Sequence, residues 1–232
     1  MFDGLVEQFT KTFITDNRWE LFLQGLGTTL VITLFATLLG VIIGLLIAIV
    51  KVSHAQTGKL KILNAICSAY TAVIRGTPVV VQLMIMYYVI LVAIPDDFIL
   101  ITAILSFGIN SGAYVSEIIR GGIQSIDRGQ MEAGRSLGLT QAQTMKSIIL
   151  PQAIKNILPA LGNEFIALLK ETSIVGYIPV VDLTRASDLV RSRTFEAFFP
   201  LISVAAIYFI LVMGISRLIK IAERRLAKSD RR

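Results

Sequence analysis

The sequence is short of almost everything that reactive chemistry uses. Its one cysteine, Cys67, excludes an internal disulfide, and its one histidine, His54, excludes a histidine-based metal cluster. A membrane enzyme would need a carboxylate pair, or a nucleophile beside a base, and scattered acids with a single imidazole offer neither. No G-x-x-x-x-G-K-S/T phosphate loop occurs, so the chain is expected to hold no ATP, no metal and no cofactor of its own. Charge is scarce as well, at 16% of residues, where soluble domains carry about a quarter. A secretory leader is not expected either. Asp3, Glu7, Asp16 and Glu20 precede the first apolar run, which is too long for a leader core, so this span should remain in the mature protein.

What is present is hydrocarbon. Of 232 residues 54% are hydrophobic, and the mean hydropathy is +0.73. A spanning helix needs roughly 20 apolar residues to cross about 30 Å. Five stretches approach this: 21–50, 60–94 broken at 75–78, 98–119, 156–174 and 198–219. The second is too long for one straight span. Arg75-Gly76-Thr77-Pro78 divides it, since proline drives the preceding residue away from helix, and 60–74 reads as an interfacial or kinked lead-in. The expectation is an all-α membrane protein of about five transmembrane helices in one domain, residues 1–232. No internal inverted repeat is evident, which speaks against an ion-coupled secondary transporter, the alternative reading. Five spans enclose a path poorly, so two copies, or this chain and a relative, should pair about a two-fold axis.

Basic residues set the expected orientation. Residues 51–61 carry Lys51, Lys59 and Lys61, and residues 120–155 carry Arg120, Arg128, Arg135, Lys146 and Lys155. The tail from Arg217 carries seven more, through Lys228, Arg231 and Arg232. Lys11, Arg18, Lys170, Arg185, Arg191 and Arg193 fall on the opposite side. The N-terminus is therefore expected outside and the C-terminus in the cytoplasm. Anionic lipid suffices to explain the basic tail, and no nucleic acid is implied.

On that topology the segment 120–155 is cytoplasmic, and within it GQMEAGRSLGLTQAQTMKSIILPQAI (129–154) has the grammar of two short helices with a bend. Met131 to Leu137 can be helical, and Gly138 suits the left-handed residue that ends a helix. Thr140 with Gln143 fits a capping box opening a second helix. Pro151 should enter the next helix in its first turn. Small residues at Ala133, Gly134 and Gly138 suit close packing, by a partner or by the pair on its own protein. The segment resembles the loop of bacterial ABC importer permeases, E-A-A, three residues, G, nine residues, I-x-L-P. Glu132, Ala133, Gly138, Ile148, Leu150 and Pro151 keep every spacing, and Gly134 departs from the second alanine. Nearly the whole chain is similar to the histidine, arginine and glutamine branch of these MetI-like permeases. The matching stretches are GLGTTLVIT (25–33), IRGTPVVVQL (74–83), LPALGNEFIALLKETS (158–173) and RSRTFEAFFPL (191–201).

The resemblance implies a type I importer permease in the bacterial cytoplasmic membrane. The loop, including Arg135 and Leu137, would dock on a separate cytosolic ATPase that binds the ATP. An extracytoplasmic binding protein would deliver polar amino acids, basic ones or glutamine, from the other side. Charges inside the spans then need reasons. Glu164 faces either a polar path, where it would meet a cationic amino acid, or a structural partner such as Arg75; Asn163 stands beside it. Arg75 either snorkels or meets solute, and Thr77 lies in backbone expected to unwind toward a cavity. Glu117 and Arg120, one turn apart, read as an intrahelical pair. Asn110, Ser111 and Gly112 suit close helix approach or a path. Asp182, Arg185, Asp188 and Arg191 step by three as a charge-paired stripe, over the outer mouth or against a binding protein.

Overall fold

The first long apolar run contains no proline, and in the computed structural model it is one helix. The described residues are 2–95 and 98–228, and every regular element among them is helical. A short helix Phe2–Phe9 (α1) and a wider turn Thr10–Ile14 precede Trp19–Thr57 (α2). Then come Lys61–Gly76 (α3), Val79–Ile85 (α4), Ile99–Gln124 (α5), Arg128–Ser136 (α6), Gln141–Thr144 (α7), Leu150–Glu171 (α8), Leu183–Thr194 (α9) and Phe198–Lys228 (α10). The tail cations Arg231 and Arg232 and the side chain of Lys228 lie outside the described residues.

α2 has 39 residues, about 58 Å at 1.5 Å each, so it overshoots the bilayer. It stops where Gly58 turns left-handed (φ 67°) and its N–H reaches the His54 carbonyl at 2.9 Å. Among the described residues three helices, α2, α5 and α10, are long and apolar enough to cross a membrane. The broken pair, Lys61–Gly76 with Val79–Ile90, bends by 108° and makes a fourth crossing if taken together. α8 occupies the place of the remaining expected span. Its 22 residues reach across, but Lys155, Asn156, Asn163 and Glu164 leave it too polar to qualify on composition.

The crossing directions follow from which residues touch. A Cβ on Gly108 would meet Leu39, and one on Gly112 would meet Ile43. From the other side, Gly40 sits against Ser111 and Gly44 against Val115. Numbers rise together on both helices, so α2 and α5 run parallel, and the broken pair must carry the chain back between them. α8 runs the other way: Glu164 meets Ser111, while Ile157 packs at Gly122. One end of the bundle therefore gathers residues 51–61, the α5–α8 connection and the α10 tail. The opposite end gathers the N-terminus, the α8–α9 connection and the start of α10.

Two departures from the expected local structure have simple causes. α6 begins at Arg128, ahead of the expected Met131, because the Asp127 carboxylate caps it, accepting from Gly129 N–H at 2.6 Å. The second helix of the pair is not separate from the span that follows. α7 passes through a wider turn, Met145–Ile149, directly into α8. In that turn Leu150 N–H bonds the Met145 carbonyl, and Pro151, which has no N–H to offer, falls at the start of the resumed α-helix.

The tightest approach of a glycine to another segment's backbone lies at the far end, where α2 meets the lead into α9. A Cβ on Gly25 would stand 2.6 Å from the Asp182 carbonyl oxygen and 2.9 Å from Leu183 Cα, both backbone atoms that no rotamer change can move. Gly27, two residues on, has nothing within 4 Å of the same position. Gly25→Ala is expected to destabilise the purified protein by about 1–3 kcal/mol, as overpacking does. Gly27→Ala is expected to be neutral or slightly stabilising. Thermal melts in detergent check this, and equal melting of the two variants would show that the crossing yields.

Candidate functional site

The helical pair assembles from its caps inward. Asp127 starts α6, and Gly138 at φ 84° ends it. Thr140 and Gln143 then form the reciprocal capping box that opens α7. α6 and α7 touch at Gly134, which is buried; a Cβ there would lie 2.5 Å from Thr144 Cγ2 and 3.1 Å from Ile148 Cδ1. The small residue thus serves the pair's own crossing. Glu132, Ala133, Arg135 and Leu137 face outward, and Leu137 is 81% exposed. Ile148 and Leu150 are half-buried on the wider turn and the start of α8, and Pro151 is exposed. A rigid, capped element therefore presents an acid, a base and an isolated apolar side chain, and it continues without a joint into α8.

The polar interior is organised by one face of α5. Asn110 donates to Gln82 Oε1 at 2.9 Å. Ser111 donates to Glu164 Oε1 at 3.0 Å. Tyr114, one turn further, lies beneath Arg75, whose guanidinium carbon is 5.4 Å from the ring centroid. One turn beyond that, Glu117 takes Lys51 Nζ at 2.7 Å on one oxygen and Arg120 at 2.6 and 2.9 Å on the other. Lys51 also donates to Thr71 at 2.9 Å. A cavity of about 500 Å³ opens here, lined by Thr71, Ala72, Arg75, Gly76, Tyr114 and Glu117.

The break between α3 and α4 has its own support. The Gln82 amide donates to the Ile74 carbonyl at 2.7 Å and reaches Thr77, whose hydroxyl and carbonyl lie at 2.8 and 3.0 Å. Thr77 in turn donates to the Val73 carbonyl at 2.8 Å. Carbonyls freed at the end of α3 are thereby satisfied within the protein, as irregular backbone at membrane depth requires. Tyr70 fastens the same helix to α5 by donating to the Ile109 carbonyl.

The expected path residues do not converge on one point. Glu164 pairs with Ser111, not with Arg75, and among the described residues no ion pair joins Arg75 to an acid. The two are linked only through Ser111 and Tyr114, one turn apart on α5. Asn163 is exposed beside Glu164, and Thr77 belongs to the break. Lys51, grouped by sequence with loop charges, is inside α2 and largely buried in its pair with Glu117. Gln82 and Tyr114 carried no sequence signal beyond their place in otherwise apolar runs.

At the opposite end the stripe on α9 centres on Asp188, which takes Arg185 at 3.0 Å and Arg191 Nε at 3.1 Å. Arg191, with Arg185 behind it, holds the Asp188 carboxyl below its ordinary range. Asp182 is not part of this stripe. It is buried as the cap of α9, accepting from Thr184 and Arg185 N–H at 3.0 and 2.9 Å. Burial pushes its carboxyl up, against the pull of those bonds.

Residues 40–228 match the protein family described as the binding-protein-dependent transport system inner membrane component. The putative glutamine transport system permease protein GlnP of Rickettsia typhi is 43% identical over 205 residues, covering 88% of this chain and 92% of its own. The arginine transport system permease protein ArtQ of Bacillus subtilis is 40% identical over 215 residues, covering 90% and 93%. A crystal structure of an amino acid ABC transporter with histidines superposes with a TM-score of 0.83 at 46% identity, over 92% of this chain and 98% of the other. An inward-facing MetNI methionine ABC transporter, at 21% identity and TM-score 0.76, is alike in fold alone over 89% and 96%.

The contact at Gly134 is a test of the pair's rigidity. Gly134→Val is expected to prise α6 from α7 at a cost of about 1–3 kcal/mol. Limited proteolysis should then cut within residues 128–149, while the spans melt as before. Leu137→Ser, on the exposed side, is expected to cut like the unaltered protein. Unchanged protection in Gly134→Val would mean that Thr144 can step aside.

Proposed function

This chain belongs to the family of binding-protein-dependent transport system inner membrane components, and from that premise we propose that it is the amino acid permease subunit of an ATP-driven importer. A separate cytosolic ATPase binds the helical pair, and an extracytoplasmic binding protein delivers the solute. A second copy, or a related permease, completes the path across the bilayer. The observation that carries this reading is the jointless run from the exposed pair through α7 and the wider turn into α8. An element capped at both ends and locked at Gly134 moves as a unit. Its motion is transmitted to the helix that holds Glu164 against Ser111.

Glutamine or a basic amino acid is the solute class. Glutamine and arginine are what the GlnP and ArtQ relatives carry by name. Two features of the interior support an amino acid. Arg75 offers a cation without an acidic partner among the described residues, suited to a carboxylate. Glu164, with one oxygen on Ser111, retains a second for an ammonium or guanidinium. Thr77 and Asn163 border the same route.

Vesicles containing the chain, its ATPase and its binding protein are expected to accumulate labelled glutamine or a basic amino acid only when all three and ATP are present. Uptake by the chain alone, driven by an ion gradient, would sink the proposal in favour of a secondary transporter. Glu132→Lys is expected to weaken co-purification of the ATPase at least about tenfold, as like-charge placement at an interface does. Its melting temperature should not change, because Glu132 is exposed. Wild-type association would remove Glu132 from the docking face. Glu164→Gln is expected to lower uptake or shift substrate preference with ATPase binding intact. Unaltered uptake kinetics would leave Glu164 as Ser111's partner and nothing more.

A further inference from the structure

The transport reading assigns no role to residues 2–18, yet they form defined structure. α1 and the turn Thr10–Ile14 cover 13 residues, about 20 Å of helix, too short to cross about 30 Å of hydrocarbon. The segment is two-sided. Glu7 and Lys11 pair at 2.8 Å on one side. Leu5, Val6 and Phe9 are exposed on the other, Val6 by 65%. Thr12 is buried and Phe13 half-buried against the bundle, where Phe13 stacks at 5.5 Å on Phe22 of α2.

The segment's direction is fixed by a corner. Asp16 and Asn17 are both left-handed, at φ 55° and 51°, a conformation that costs most residues about 1–2 kcal/mol each and that Asp and Asn tolerate best. Arg18 braces the corner, donating to the Lys11 carbonyl at 2.6 Å and to Asp16 at 2.8 Å. A strained, braced reversal points to a segment that must lie at a set angle to α2, not to a loose end.

We infer that α1 and its following turn lie in the lipid interface, with Leu5, Val6 and Phe9 inserted among the headgroups and upper acyl chains. The occupant of this apolar face is phospholipid because the face adjoins the exposed apolar starts of helices long and apolar enough to cross a membrane. On α2, directly after the corner, Trp19, Leu23 and Leu30 are exposed as well. Phe9 meets Phe199 at 6.0 Å, and Phe199 meets the exposed Phe198 at 5.4 Å, at the start of α10. Phe195, also left-handed (φ 56°), is 94% exposed just ahead of them. An aromatic belt beside short charged stretches is the composition of a membrane–water boundary. The inference goes beyond the transport reading and stands without it.

The test uses the full chain in vesicles of phosphatidylethanolamine and phosphatidylglycerol. In a Cys67→Ala background, a fluorophore is placed at Val6→Cys or at Glu7→Cys. Expected is strong quenching of the Val6 probe by lipids spin-labelled near the headgroup, with protection from aqueous iodide. Its depth should be about 5–10 Å below the phosphates. The Glu7 probe should show the reverse. Iodide access at both positions would overturn the proposal by placing the segment in water. Protection of the Val6 probe from both quenchers would overturn it by showing protein cover, such as a second copy. A gentler variant, Phe9→Trp with Trp19→Phe, reads the same depth through brominated lipids if the labelled chains fold poorly, and an unquenched, iodide-accessible Trp would count equally against it.

Discussion

The parallel contact between α2 and α5 is the constraint from which the other features descend. In lipid there is no hydrophobic drive to bring helices together, so close packing of small residues must do it. Here the two helices trade places: Gly40 and Gly44 admit α5 side chains, while Gly108 and Gly112 admit Leu39 and Ile43. Buried Thr29, Thr33, Ala36 and Ala48 extend the same flank of α2. Parallel neighbours consecutive in the chain demand a returning segment between them. α3 and α4 supply it with a break, and the break needs polar partners. Gln82 and Thr77 are those partners, and Asn110 on α5 ties them back to the contact that made them necessary.

A second consequence concerns transmission. α8 runs antiparallel to α5 and is held on both flanks, by Gly122 against Ile157 and by Gly162 against Ile219 of α10. From Leu150 to Glu164 it covers about 21 Å. Pro159 interrupts the backbone ladder between Leu150 and Glu164, and the two glycine contacts, at Ile157 and Gly162 on either side of it, hold the helix's course, so the proposed displacement of its start reaches Glu164 through a braced proline. The wider turn at 145–149 fits this logic. It lets the helix absorb Pro151 without a loop, and a loop there would dissipate the motion.

How much of this was legible in the chain divides along range. Features fixed by neighbours in sequence were readable: the break at Gly76–Pro78, the turn at Gly138, the capping box at Thr140 and the apolar runs of α2, α5 and α10. Features fixed by partners far along the chain were not. Lys51 reads as a loop cation until Glu117, 66 residues away, is seen beside it. Gly134 suits a partner or the pair's own crossing equally until Thr144 is found against it. Asp182 fits a charge stripe by spacing, yet the backbone of α9 claims it as a cap. Tyr114 and Gln82 look like filler because what matters is what they touch. The corner at Asp16–Asn17 escaped notice because short polar residues in a terminus resemble ordinary linker.

The distribution of charge along α5 carries the last step. Its three polar levels differ in how completely they are neutralised. Glu117, nearest the helical pair, is saturated by two cations and pins α2, α3 and α5 together through Lys51 and Thr71. One turn away, among the described residues, Arg75 is held by the face of Tyr114, an attraction of about 0.5–1 kcal/mol that a carboxylate can exceed. One turn further, Glu164 holds a single hydroxyl. A saturated level is a brace, because exchanging its partners would expose a charge in a poorly solvated place. The two unsaturated levels are the ones with bonding capacity left, opposite in sign and one helical turn apart. Each has a counterpart in the proposed amino acid solute, a carboxylate for Arg75 and an ammonium or guanidinium for Glu164, met at successive points along α5 because the two groups do not converge.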